Sequence, residues 1–122
     1  MNWIKILPGS IYSSDNFIRL IRVNGRKVCL IKVNDEFFAT QNSCPHAGAD
    51  LSQGFCKDKK LICAFHRYEY DLQTGRGVPG QGDYINIYPL EKREDGLYIG
   101  FKDNWAFIKK LFSLWFHKKL II

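Results

Sequence analysis

The sequence has neither a long hydrophobic run nor an export signal. Residues 1–8 contain no basic segment followed by an apolar core and no twin arginine, so we expect no signal peptide. No uncharged apolar stretch is long enough to span a bilayer. Motifs of phosphate-binding loops and of nucleic-acid-binding modules are also absent, which argues against nucleic-acid partners. The lack of an export signal and of a membrane span predicts a cytoplasmic protein.

The composition is that of one folded domain. The chain has 122 residues, of which 46% are hydrophobic and 25% charged, a balance typical of globular proteins. Its formal net charge is +6, which favours an acidic partner or an anionic surface without identifying either.

Most of residues 1–102 show the patterns of β-strands. Residues 17–23 and 27–33 flank Asn24-Gly25, which is a strong signal for a type I′ hairpin. Further strands are predicted over 36–40, 84–88, 90–93 and 97–101. Residues 42–83 are rich in glycine and show little periodicity. A stretch this long and irregular is usually functional, or is held by something other than a hydrophobic core.

Two short motifs within the irregular stretch each offer one thiol and one imidazole. The first is Cys44-Pro45-His46 and the second is Cys63-Ala64-Phe65-His66. Two sulfur and two nitrogen ligands suit either zinc or an iron–sulfur cluster. Zinc fingers usually group their cysteines together, whereas here each motif contains both ligand types. The interleaving favours a centre with one sulfur-bound and one nitrogen-bound iron, and a structural zinc site in a non-redox interaction module is the alternative.

The surroundings of both motifs resemble those of the Rieske 2Fe–2S proteins. The matching stretches are 44–51, 63–75 and a proline loop at 77–80, and the resemblance extends over residues 2–102. It implies an all-β fold: a Rieske-type antiparallel β-sandwich with a small cluster-binding subdomain over about 43–80. It also implies a Rieske-type 2Fe–2S cluster as the cofactor.

The resemblance assigns a role to each motif residue. Cys44 and Cys63 would hold the inner iron, and His46 and His66 would hold the outer iron near the surface. Imidazoles in place of two thiolates make the cluster less negative, so its potential should exceed that of plant-type ferredoxins. The expected surroundings of the cluster are Phe65, Arg67, Tyr68, Tyr70 and Pro79.

Some positions depart from the Rieske proteins of quinol-oxidising complexes. Ala49 and Phe65 stand where those proteins carry two further cysteines, so that disulfide cannot form. Tyr68 replaces a serine that donates a hydrogen bond to a cluster sulfur, while Tyr70 matches a second donor, to a cysteine sulfur. Arg67 occupies a position that is usually glycine. Because fewer donors stabilise the reduced cluster less, we expect a potential in the lower part of the Rieske range.

These features predict an electron carrier rather than an enzyme. A reductase would load the cluster, and an acceptor such as an oxygenase would receive the electron. The chain is too short to include the mononuclear-iron domain of a Rieske oxygenase as well. A role as an accessory subunit of a larger reductase is a further alternative.

Residues 103–122 are predicted to form a basic amphipathic helix that follows the domain at 1–102. Its apolar face could pack on its own domain or on a second copy, giving a homodimer, or dock on a partner protein. It could also lie in a membrane interface, at the inner face of a membrane. Cys29 and Cys56 fall outside the ligand pattern and are expected to be structural or incidental thiols.

Overall fold

The computed structural model describes residues 1–46 and 48–102. The helix predicted for 103–122 lies outside these residues. No helix in the described ranges is long and apolar enough to cross a membrane. The strands there are β1 (Asn2–Pro8), β2 (Phe17–Val23), β3 (Arg26–Val33), β4 (Glu36–Gln41), β5 (Phe55–Lys57), β6 (Lys60–Ile62), β7 (Glu69–Asp71), β8 (Ile87–Tyr88), β9 (Leu90–Arg93) and β10 (Gly96–Phe101). Two short 3-10 helices cover Gly9–Ser13 and Leu51–Gln53.

The strands form three antiparallel sheets. Their strand orders are β1-β10-β9, β2-β3-β4-β8 and β5-β6-β7. Every pairing between these strands is antiparallel. The all-β, antiparallel prediction is therefore confirmed.

The hairpin between β2 and β3 forms as predicted. Asn24 and Gly25 have φ values of 51° and 80°, and a type I′ turn requires a positive φ at both central residues. The strand predicted over 84–88 is shorter, because only Ile87–Tyr88 forms β8. Strands β5, β6 and β7 have three residues each, too few to show an alternating pattern in the sequence.

Strand β3 is buried on both faces and separates two hydrophobic cores. Successive residues of a strand point to opposite sides of the sheet. Val28 and Leu30 pack in the core that joins this sheet to β10. Cys29 and Ile31 pack in a second core on the other side, against the sheet β5-β6-β7 and its loops. The second core also contains Cys44, Leu51, Leu61, Cys63, Tyr70, Leu72 and Ile85.

The chain between β4 and β5, residues 42–54, contains Cys44 and is called the first cysteine loop. A close contact at Gly54 brings this loop against strand β6. A Cβ atom at this glycine would lie 2.1 Å from the carbonyl oxygen of Ile62, which immediately precedes Cys63. Only a residue without a side chain allows this approach. Gly54 therefore holds the loop that contains Cys44 next to the strand that leads to Cys63.

We expect Gly54→Ala to lower the free energy of unfolding by about 1–3 kcal/mol, because the added methyl group forces the loop and strand apart. It should also lower the iron bound per chain, because the two cysteine loops move with these segments. Urea unfolding and iron analysis measure the two effects.

Gly25→Ala is the matched control. Its Cβ would meet nothing within 4 Å, but the positive φ of 80° makes alanine unfavourable by about 1–2 kcal/mol. This variant should lose stability and keep its iron. Equal iron contents in the two variants would show that the Gly54 contact does not hold the loops together.

Candidate metal centre

The first loop folds back on itself around Cys44. The N–H of Cys44 donates to the carbonyl of Ala49 at 2.9 Å, and the N–H of Gly48 donates to the carbonyl of Cys44 at 2.9 Å. The buried Asn42 side chain accepts from the N–H of Ser52 and donates to Asp50. This tight turn directs the thiol of Cys44 into the core and leaves His46 exposed.

The second loop connects β6 to β7 and closes in a similar way. The N–H of Cys63 donates to the carbonyl of Tyr68 at 2.8 Å. His66 and Arg67 have φ values of 60° and 54°, in the left-handed region that favours glycine. This conformation gives a physical reason for glycine at the position of Arg67 in the Rieske family. Cys63 is buried, and His66 is exposed.

The two loops bring Cys44 and Cys63 together. Their residues are 1% and 0% exposed, and neither of these two cysteines is in a disulfide. Burial raises the pKa of the Cys63 thiol, a backbone hydrogen bond from Phe65 opposes the shift, and a hydrogen bond and charge interaction with Cys44 add to it. This shift favours the protonated thiol, whereas a cation bound between the two sulfurs would stabilise the thiolates.

Tyr68 links the two histidines. Its ring stacks on His46, with centroids 3.9 Å apart and an interplanar angle of 9°. The same ring meets His66 edge-on, at a centroid distance of 6.4 Å. The sequence had suggested only that Tyr68 replaces a serine donor, and the structure shows an aromatic contact to both imidazoles.

The predicted ligands are gathered as pairs rather than as a complete set. The cysteines lie side by side in the core, and the histidines share Tyr68 at the surface. Within residues 1–46 and 48–102, no three or more His, Cys, Asp or Glu side chains already form a metal-binding group.

Asp83 joins the site although no sequence motif predicted it. Its Oδ2 atom lies 2.8 Å from Nε2 of His46 and accepts the hydroxyl hydrogen bond of Tyr70 at 2.7 Å. Its Oδ1 atom accepts from Nε2 of Gln81 at 2.7 Å. Burial acts to raise the pKa of Asp83, but these hydrogen bonds and the nearby His46 outweigh burial and lower it.

Tyr70 lies between Asp83 and Cys44. Its hydroxyl oxygen is 3.6 Å from the Sγ atom of Cys44, while it donates to Asp83 at the shorter distance of 2.7 Å. Burial, followed by the neighbouring Asp83 and Cys44, raises the pKa of Tyr70, so the hydroxyl keeps its proton. The expected contact with a cysteine sulfur is present, but the stronger hydrogen bond goes to the carboxylate.

A third loop, at residues 77–82, is held by the side chain of Gln81. This side chain accepts from the N–H of Glu69 and donates to its carbonyl, at 3.1 and 3.2 Å. Pro79 is exposed in this loop, and Phe65 is 59% exposed in the second loop. The second loop therefore presents an exposed apolar ring beside His66, with the two ring centroids 6.2 Å apart.

The other two cysteines belong to strands rather than to the two loops. Cys29 is fully buried in β3, and burial raises its pKa to about 12. Cys56 is half-buried in β5, where burial raises its pKa to about 11. Both thiols remain protonated at neutral pH.

The chemistry of the described donors fits a centre with unlike irons. The buried cysteines could supply two sulfur ligands on the inner side. Metal-binding histidines usually donate their second ring N–H to a carboxylate or carbonyl. In the neutral ring, the contact of His46 Nε2 with Asp83 leaves Nδ1 as the nitrogen with a free lone pair.

Known proteins share this arrangement of strands and loops. The family model described as "Rieske [2Fe-2S] domain" matches residues 2–89. The chain is 34% identical over 73 residues to the ferredoxin component of the naphthalene 1,2-dioxygenase/salicylate 5-hydroxylase systems of Ralstonia sp., covering 58% of this chain and 69% of that protein. It is 26% identical over 98 residues to Ferredoxin CarAc of Metapseudomonas resinovorans, covering 80% of this chain and 92% of that protein.

A solved structure shows the same fold. It is titled as a complex of reduced oxygenase and oxidized ferredoxin in carbazole 1,9a-dioxygenase, and the matched chain superposes with a TM-score of 0.69 at 26% identity. The match covers 80% of this chain and 92% of that chain. The protein therefore belongs to the Rieske [2Fe–2S] domain family, and its cofactor is a Rieske-type 2Fe–2S cluster.

Proposed function

We propose that this protein carries single electrons from a reductase to an oxygenase and has no catalytic activity of its own. The observation that carries the proposal is the pairing of two buried cysteines with two exposed histidines, in a chain of the Rieske family. The inner ligands are shielded from water, and the outer ligands lie where a docked protein can approach them.

The relatives support both partners. Two similar proteins are named as ferredoxins, one of them as a component of dioxygenase and hydroxylase systems. The similar solved chain belongs to a complex of an oxygenase with a ferredoxin. The match covers 92% of that solved chain, so the present protein is suited to the same kind of electron exchange.

Each predicted ligand has a place in this proposal. Cys44 and Cys63 would hold the inner iron, and His46 and His66 would hold the outer iron. When bound, the cluster supplies a site that accepts and releases one electron. The cysteine loops exclude water from the sulfur side, and Tyr68 holds both imidazole rings by aromatic contact.

The exposed tip is suited to partner docking. Phe65 is exposed beside His66, and Pro79 is exposed in the loop at 77–82. Apolar groups of this kind form the centres of protein interfaces. The basic segment with Lys57 and Lys59 lies at the opposite end of β6 from Cys63. Docking near the histidines would therefore rest on apolar contacts more than on these lysines.

We propose that residues 1–102 form the Rieske domain, with the cluster-binding subdomain over about 43–80. Residues 103–122 would form a separate amphipathic helix that docks on protein, either on this domain, on a second copy or on a partner. The proposed location is the cytoplasm, and attachment to the inner face of a membrane is the alternative that the sequence of this segment allows.

We expect Cys44→Ser, Cys63→Ser, His46→Ala and His66→Ala each to lose iron, sulfide and visible absorption, because each removes one iron ligand. The unaltered protein should be brown and bleach with dithionite. Its reduced form should show an electron paramagnetic resonance signal with the low average g-value of mixed nitrogen and sulfur ligation.

Cys56→Ser is the control for the ligand variants, because Cys56 is a half-buried thiol outside the two loops. It should keep the full iron content and the same spectrum. A colourless, zinc-containing protein from iron-supplied cells would contradict the proposal, as would full clusters in both Cys44→Ser and Cys63→Ser.

We expect a midpoint potential in the lower part of the Rieske range, which spans about −150 to +300 mV. Tyr68 stands in place of the serine donor, and the Tyr70 hydroxyl lies closer to Asp83 than to Cys44, so these two positions donate little to the sulfurs. Spectroscopic redox titration measures the value. A potential in the upper half of that range would be inconsistent with this account of the sulfur environment.

We expect that removing residues 103–122 leaves vesicle binding unchanged, because the proposal places this segment on protein. Flotation with phosphatidylcholine vesicles that contain phosphatidylglycerol compares the full chain with the shortened one. If only the full chain floats with the vesicles, the membrane alternative is correct. Size-exclusion chromatography of the same pair shows whether the segment joins two copies.

A further inference from the structure

Asp83 occupies a rigid position beside the proposed outer ligand. Its carbonyl accepts the N–H of Gly77 at 2.9 Å, and the adjacent Tyr84 forms a bridge with Arg76. A Cβ atom at Gly77 would lie 2.6 Å from Oδ1 of Asp83. The backbone and the packing therefore both fix where this carboxylate points.

Both oxygens of the carboxylate are used. Oδ2 lies 2.8 Å from Nε2 of His46 and accepts from Tyr70, while Oδ1 accepts from Gln81. These partners come from different loops and from strand β7. A single side chain thus ties the first cysteine loop to the loop at 77–82 and to the strand that follows the second cysteine loop.

The contact with His46 has a consequence for ligation. With its proton on Nε2 facing Asp83, the neutral imidazole offers Nδ1 to a metal, and the hydrogen bond limits rotation of the ring. The stacked ring of Tyr68 restricts the same imidazole from its face. His46 is therefore held in one tautomer and one orientation.

The contact with Tyr70 affects the sulfur. A hydroxyl group has one proton to donate, and the oxygen of Asp83 is 2.7 Å away, whereas the sulfur of Cys44 is 3.6 Å away. The charged oxygen is also the stronger acceptor. Asp83 thus directs this proton away from the sulfur that would ligate the inner iron.

We propose that Asp83 is a positioning residue that orients His46 and lowers the reduction potential of the cluster, by its own negative charge and by withdrawing the Tyr70 hydroxyl from Cys44. The inference rests on the proposed function, because it takes His46 and Cys44 as ligands. Both effects disfavour an added electron. The first acts through charge and the second through a hydrogen bond, so variants can separate them.

The experiment compares the full-length protein with Asp83→Asn, Asp83→Ala, Tyr70→Phe and the double variant Asp83→Ala/Tyr70→Phe. Asp58→Asn is the matched control, since it removes the same charge at the exposed turn between β5 and β6. Iron and sulfide content, midpoint potential, the electron paramagnetic resonance spectrum and the rate of iron loss to a chelator are measured for each.

We expect both Asp83 variants to have a higher midpoint potential than the unaltered protein. Iron loss to the chelator should be about tenfold faster in Asp83→Ala, because His46 loses the partner that orients it. Tyr70→Phe alone should change the potential little. In the double variant the upward shift should be smaller than in Asp83→Ala, because no hydroxyl remains to turn toward Cys44.

The outcomes separate this inference from the proposed function. An unaltered protein without iron and sulfide would refute the proposed function itself. A loaded protein whose potential and spectrum are the same with and without Asp83 would overturn the inference alone. An equal shift in Asp58→Asn would also overturn it, because the effect would then be one of general charge. Loss of the cluster from both Asp83 variants, with the β-sheet circular dichroism retained, would support the positioning of His46.

Discussion

The nearness of two thiols buried from water is the constraint around which the subdomain is organised. A buried sulfur pair is unfavourable as two anions, and it becomes stable when a metal centre supplies the compensating positive charge. Two features support this pairing. Gly54 lets the first cysteine loop contact β6, and both cysteine loops close by backbone hydrogen bonds. The same core contains the fully buried Tyr70, whose hydroxyl reaches out of the apolar region to polar partners.

The surface side of the centre is organised by polar and aromatic contacts rather than by burial. Tyr68 touches both histidine rings, and Asp83 connects one of them to Tyr70 and Gln81. Three loops that are distant in the chain thereby become one unit. The histidines can remain accessible to a partner because their orientation does not depend on being enclosed.

How far the sequence predicted this arrangement depended on the range of each interaction. The Asn24-Gly25 turn and the alternation in β3 are local patterns, and the structure contains both. The cysteine and histidine motifs are also local, and the structure pairs the cysteines in the core. Asp83 could not be found in this way, because it meets His46 and Tyr70 only after the fold is complete and the glycine-rich stretch around it has no periodicity. Strands of three residues are likewise too short to leave a pattern.

The two-sided burial of β3 bears on how fast electrons can be exchanged. Alternate residues of this strand belong to the two cores. The core beneath the cysteine loops is therefore packed against the same strand as the core between the two larger sheets. Packed interiors resist deformation, so little of the surrounding protein moves when the charge at the centre changes by one unit. A small rearrangement means a low reorganisation energy, which lets a carrier pass its electron during a brief encounter.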